Sequence, residues 1–262
     1  MAVLMVFLAC AAPSRAADLP RMASMNLCTD QLLLTLADPA QILGLSRYSR
    51  EPQYRRLSGS AEDIMVLKPD IVVASLFDKR STRELLKAHG FHLQEFSVPN
   101  SLDEAKDQIR QMGDIVGHPD RATAEINRLD DAMARARAIV ADKHYRVLAL
   151  SRRGWISGND SLLSSLLTET GLINVSGELG VTSGGYASLE AIVKLKPDLI
   201  VVSQSGDVAE DEGRAFLLHP ALELFYPPDK RLVIPDRLTE CGSVMLADAL
   251  DLLVAELKQV AR

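Results

Sequence analysis

Basic charge is in short supply in this chain: 29 lysines and arginines stand against 35 acids, a formal net charge of -6. A surface of that sign makes nucleic acid an unsuitable partner. Beyond the N-terminal segment no apolar run is long and uncharged enough to span a bilayer. Cysteine is rare, with only Cys10, Cys28 and Cys241, so at most one disulfide is open to the chain. Neither G-x-S-x-G nor G-x-G-x-x-G stands at a strand-to-helix turn, which counts against an α/β hydrolase or a dinucleotide enzyme, and no catalytic residue is assigned. The five histidines, His89, His92, His118, His144 and His219, are scattered and make poor candidates for a bare zinc or manganese site. No metal site and no resident cofactor are assigned.

The N-terminus is the one strongly apolar segment. Residues 2–12 form a short hydrophobic core, followed by Pro13 and the small-residue exit Ser14-Arg15-Ala16-Ala17. This is the pattern of a secretory signal cleaved after Ala16 or Ala17, although the basic residues that usually precede the core are missing and would lie upstream if translation began earlier. Leu8-Ala9-Cys10 has the residue types of a lipobox, but the apolar run before it is short, so lipidation of Cys10 ranks second. Cleavage removes Arg15 and Cys10, takes the net charge to -7, and leaves Cys28 and Cys241 as an even pair that permits one disulfide in an exported protein.

The mature chain is organised around a stretch that occurs twice. Residues 60–75 read Ser-Ala-Glu-Asp-Ile-Met-Val-Leu-Lys-Pro-Asp-Ile-Val-Val-Ala-Ser, and residues 188–203 read Ser-Leu-Glu-Ala-Ile-Val-Lys-Leu-Lys-Pro-Asp-Leu-Ile-Val-Val-Ser. Ser60 and Ser188 can cap a short helix whose first turn carries Glu62 or Glu190. Lys-Pro-Asp ends the helix, because the residue before a proline is pushed out of the α region. The apolar run that follows suits a strand buried on both faces of a parallel sheet.

Around these copies the spacing predicts strands at 21–28, 42–45, 92–98, 146–150 and 231–235, and helices at 83–90, 102–116, 216–224 and 246–260. Thr29 or Asp30 is the expected cap of a helix bearing Leu32, Leu33 and Leu36, and Asn159 or Asp160 of one bearing Leu162, Leu163, Leu166 and Leu167. From Asp120 to about Lys143 there is neither glycine nor proline, which predicts a rod of roughly 36 Å. The division is thus a signal peptide at 1–17, an α/β lobe at 18–118, a linker helix at 119–143 and a second α/β lobe at 144–262.

Two α/β lobes with matching helix-Lys-Pro-Asp-strand signatures, joined by one long helix behind an export signal, resemble the periplasmic binding proteins of the cobalamin and ferric-siderophore class. The resemblance implies two Rossmann-like lobes with parallel central sheets on a helical backbone, and a non-catalytic, monomeric, periplasmic receptor. Such a receptor captures a metal chelate (ferric siderophore, corrinoid or haem) and passes it to an ABC permease and its ATPase in the inner membrane. An exported metallophore scavenger or sensor with no permease is the alternative. An acid on each lobe docks with permease arginines in that family, and the matching residues here are Glu62 and Glu190; both also suit a plain first-turn helix position.

Ligands of open α/β sheets bind beyond the carboxyl ends of the strands. The expected cleft is lined by the loops 26–29, 47–54 and 75–80 from one lobe and 151–157, 182–186 and 236–243 from the other. These loops carry Tyr48, Trp155 and Tyr186, rings on which a flat chelate can pack, and Arg47, Arg50, Arg152, Arg153 and Arg237, a cationic lining suited to an anionic chelate. Each is equally compatible with ordinary loop packing or solvated charge. Cys28 and Cys241 fall in cleft loops of opposite lobes, where they can form a disulfide, ligate a metal as thiolates, or pack as small apolar groups, the commonest state of a cysteine. Residues 57–60 lack an aromatic cluster and 239–242 an acid-plus-arginine pair, both associated with cobalamin receptors of the class.

Overall fold

The computed structural model describes residues 19–141, 143–203 and 215–260. Residues 1–17, the expected signal peptide with Cys10, lie outside the described residues.

The two halves build parallel sheets in the same order. The first contains β1 (Met22–Ser24), β2 (Ile42–Gly44), β3 (Ile71–Ser75) and β4 (Leu93–Phe96), arranged β2-β1-β3-β4. In the second, β5 (Arg146–Leu150), β7 (Ile173–Asn174), β9 (Leu199–Val202) and β10 (Arg231–Val233) repeat that order as β7-β5-β9-β10. The duplicated apolar runs are β3 and β9, each an inner strand with neighbours on both sides, which is why neither alternates polar with apolar residues.

The repeated motif has a physical reason in each copy. Ser60 accepts from the Asp63 backbone N–H to start α2 (Ala61–Leu67), and Ser188 accepts from that of Ala191 to start α7 (Leu189–Leu195). The helices end on Lys68 and Lys196, which adopt left-handed backbone with φ of 47° and 51° instead of the extended form expected before proline. The aspartates Asp70 and Asp198 then accept the backbone N–H of Arg21 and Arg146, both at 2.8 Å, while the two arginine side chains reach the carbonyls of Lys68 and Lys196. Lys-Pro-Asp thereby ties the entry of β3 or β9 to the start of the neighbouring β1 or β5.

Helix α5 (Pro119–Val140) is the expected rod, ending at Val140 with Ala141 as its C-cap and not at Lys143. It packs between α4 (Leu102–Val116) and α9 (Leu246–Val260). Its Ala122 joins the core of the first lobe, and its Leu129, Met133, Ala136 and Val140 that of the second. Gly113 of α4 lets the helices approach, since a Cβ there would lie 2.4 Å from that of Ala122.

Helix α1 (Leu27–Leu36) begins earlier than expected, capped by Asn26, which accepts from Cys28 and Thr29; α6 (Leu162–Glu169) is capped by Ser161. Thr29 and Asp30 are therefore inside α1 and not its caps, and Asn159 and Asp160 precede the cap of α6. Helices α3 (Arg80–Ala88) and α8 (Pro220–Phe225) are displaced by a few residues from the predicted spans. The loops expected around Trp155 and Tyr186 are strands instead: β6 (Trp155–Ser157) and β8 (Gly184–Tyr186) form an antiparallel ribbon on the edge of β5. The second sheet is thus a parallel core with an antiparallel extension that has no counterpart in the first.

Candidate functional site: a two-chambered cleft between the lobes

The loops that leave the carboxyl ends of the strands are fixed by buried polar contacts. Asp30, 1% exposed, accepts from the backbone N–H of Ser46 at 3.0 Å and from its hydroxyl at 2.6 Å. The Ser46 hydroxyl in turn accepts from the Tyr48 N–H, so Asp30 sets the turn that presents Tyr48 and Arg50. Asp78 accepts from the Ser75 backbone at 2.7 Å and from the Asn26 amide at 2.8 Å, joining the loops after β3 and β1.

Two cavities meet here. The larger, about 1310 Å³, lies between α1 and the 48–51 turn on one side and α9 with residues 233–240 on the other. The smaller, about 360 Å³, is lined by the loops after β1, β3 and β4 together with Glu240 and Cys241. Leu27, Tyr48 and Glu240 border both. Of the cleft residues expected from sequence, Tyr48, Arg50, Arg152 and Arg237 line the larger cavity, and Cys28, Cys241 and again Tyr48 the smaller. Arg47 lines neither; its guanidinium lies 4.8 Å from the centroid of the Tyr48 ring and donates to the Tyr48 hydroxyl. Trp155 and Tyr186 also line neither, and pack edge to face across the β6–β8 ribbon with centroids 5.1 Å apart.

Cys28 and Cys241 form a disulfide, with Cα atoms 5.2 Å apart, which sets aside thiolate ligation and simple apolar packing. The expected cationic lining is also corrected. Four arginines (Arg50, Arg128, Arg152, Arg237) share the larger cavity with six carboxylates (Asp30, Glu51, Asp236, Glu240, Asp248, Glu256), so negative groups outnumber positive ones. Strand-end loops supply most of the arginines, whereas Asp248 and Glu256 come from one face of α9, at i and i+8, a stripe the loop-based reading did not include. The sequence reading also missed Phe77, 81% exposed, and Val98 at the mouth of the smaller cavity. Among the described residues no group of three or more His, Cys, Asp or Glu is placed to hold a metal ion. No described helix is long and apolar enough to cross a membrane.

The acids of the molecule fall into two electrostatic classes. Burial raises the carboxyls of Asp30 and Asp236 above the usual carboxylate range, despite serine donors to both and the Arg152 charge beside Asp236. Desolvation and the Asp236 charge raise Glu240, although its side chain keeps contact with solvent at the cleft surface. Glu62 and Glu190 are exposed and shifted down, each by a hydrogen bond from its own backbone N–H and then from the capping serine. On acidification the cleft therefore loses negative charge while the two helix-start glutamates stay ionised. Pyrenetetrasulfonate, an anionic probe that does not itself titrate, should bind several-fold more tightly at about pH 5 than at about pH 7. Fluorescence titration reads this directly, and equal or weaker binding at the lower pH would show that the cleft acids do not control its charge.

Two like-folded lobes facing each other across a cleft, fastened to one stiff helix, have the architecture of a solute receptor. Residues 22–225 match the family model for periplasmic binding proteins, and the chain belongs to that family, which takes its name from the periplasm. Two relatives from strains of Halobacterium salinarum, each named cobalamin-binding protein, are 24% identical over 202 residues; the match takes in 71% of this chain but 54% of theirs, so the chain spans about half their length. Among solved structures, the apo haem-binding protein RhuT from Roseiflexus sp. RS-1 aligns with a TM-score of 0.74 at 20% identity, covering 92% of this chain and 99% of that one. The vitamin B12-binding protein BtuF of Vibrio cholerae aligns at 0.69 and 17%, covering 92% and 98%. A protein of an Fe3+-hydroxamate ABC transport system from Saccharomonospora viridis aligns at 0.70 and 20%, covering 91% and 93%. At these identities the structural likenesses establish the fold.

Proposed function

We propose that this protein is the substrate-binding component of an ABC importer, a monomer that captures a metal chelate between its lobes and delivers it to a permease and ATPase in the inner membrane. The observation that carries this reading is the pair Glu62 and Glu190: both exposed, both in the first turn of equivalent helices, one per lobe, and neither lining either chamber of the cleft. Two carboxylates so placed set the register of a bound partner that offers two basic sites. In this reading the N-terminal segment directs Sec export and is removed with Cys10, lipid attachment at Cys10 being the lesser alternative.

The mixed lining of the larger cavity supports a narrower choice of cargo. Arginines there donate and carboxylates accept, a combination that suits a chelate whose rim carries both carbonyls and N–H groups. Corrinoids, rimmed by carboxamides, meet that requirement, and the Halobacterium relatives bear the matching name. A ferric tris-catecholate, strongly anionic, would meet more carboxylates than guanidiniums. The mature protein purified from its native periplasm should carry a corrinoid absorption spectrum and cobalt, and the stripped protein should rebind cyanocobalamin. A colourless, metal-free protein that binds none of cyanocobalamin, haemin or ferrichrome would end the chelate assignment.

A further inference from the structure

The lobes are joined not only along α5 but also by a chain crossing at the cleft. Residues 241–244, just ahead of α9, are all buried, and they are buried against the first lobe. Cys241 is bonded to Cys28 in the first turn of α1. Gly242 lies against Pro99, where a Cβ would come within 2.3 Å of the proline ring. The Ser243 hydroxyl and the Gln31 amide oxygen are 2.6 Å apart, and Val244 belongs to the first lobe's core. Along the back, Arg128 of α5 donates to Asp248 of α9 and to the Val244 carbonyl.

A clamshell receptor opens by φ/ψ changes at a few connecting residues while its halves stay rigid. Here a rod and a covalent crossing close the attachment into a loop. Rotation about either requires the other to yield, and a disulfide between buried or half-buried residues does not stretch. The disulfide also stands at the partition of the cleft: it lines the smaller cavity, and Leu27 and Glu240, its chain neighbours, border both.

We propose that the Cys28–Cys241 disulfide is a covalent stop that fixes the aperture of the cleft, so that cargo is selected by its fit to preformed chambers and is not enclosed by lobe closure. The aperture claim stands on the fold alone; the selection claim rests on the binding-cleft reading above. Without the bond, the Gln31–Ser243 hydrogen bond and the packing of Gly242 and Val244 still favour the same arrangement, but they can open and reclose.

The test compares the full mature protein oxidised, reduced with a phosphine, and as the Cys28→Ser/Cys241→Ser double variant, which guards against effects of reductant. Alkylation and peptide mapping should recover a 28–241 cross-link from the oxidised protein; two free thiols would overturn the proposal. Without cargo, breaking the bond should raise amide hydrogen exchange in residues 26–31 and 241–246 by roughly tenfold or more, and should broaden the small-angle scattering distance distribution. Superposable exchange and scattering in all three forms would overturn the fixed aperture. With cyanocobalamin as the probe, association and dissociation rates should both rise on reduction; unchanged rates would overturn size selection. If no form binds the probe, selection falls together with the corrinoid reading, while exchange and scattering still decide the aperture.

Discussion

Cells whose only copy of this receptor carries Glu62→Lys and Glu190→Lys together should take up no cargo, while the purified double variant binds that cargo as the parent does. Each glutamate is exposed in the first turn of a short helix, and each is held ionised by its own N–H and a serine hydroxyl, so both carry full negative charge throughout the neutral range. Neither lines either chamber of the cleft, so the chemistry of the cleft is left as it was. Reversing a rim charge acts on encounter rate and register, and placing like charges face to face adds repulsion to the lost attraction. Each single reversal should lower uptake by roughly tenfold, with the pair falling to background. Asp229→Lys, an exposed reversal on neither repeat helix, is the matched control. Uptake that survives the double reversal would remove the permease from the functional reading and leave an exported scavenger or sensor.

Reduction of the disulfide should cost the second largest effect, in stability. Cys28 and Cys241 lie 213 residues apart, so the bond closes a loop that takes in most of the chain. In the chain-entropy account a loop of this size restricts the unfolded state by about 5 kcal/mol, and measured disulfides commonly deliver about 2–4 kcal/mol. For a chain of this length that corresponds to a drop in melting temperature of roughly 5–15 °C. Scanning calorimetry with and without a phosphine reductant checks it. A melting temperature unmoved to within about 2 °C would mean that the bond is absent from the purified protein or that the unfolded chain already holds these segments together.

Much of the fold could be read from local chemistry because the same local chemistry recurs. The two Ser-x-Glu…Lys-Pro-Asp copies mark helices and inner strands that the structure places as expected, and α4, β5 and α9 occupy the predicted spans. The misplaced caps have a common cause: Asp30 and Asn159 look like caps by sequence position but are spent on tertiary bonds, Asp30 to Ser46 and Asn159 to the hydroxyl of Ser176. The β6–β8 ribbon is not legible in the sequence because three-residue strands have no periodicity and β8 is two-thirds glycine; Gly184 is there because the Trp155 ring lies where its Cβ would be. Strand ends indicated where the cleft would be, yet not its charge. Its charge depends on how α1 and α9 are rotated about their axes, which only the packing of α1 on α4, of α9 on α5, and of each on the opposite lobe decides.

The ribbon also answers a problem that duplication creates. A body assembled from two equivalent halves, each with one acid at the same place, can be turned end for end and still offer the same pair of charges. Strands β6 and β8, with Trp155 and Tyr186 partly bare on their surface, occur on one half alone. They give the two-lobed molecule a head and a tail, and so a surface by which a partner docked on Glu62 and Glu190, as proposed above, would tell one half from the other.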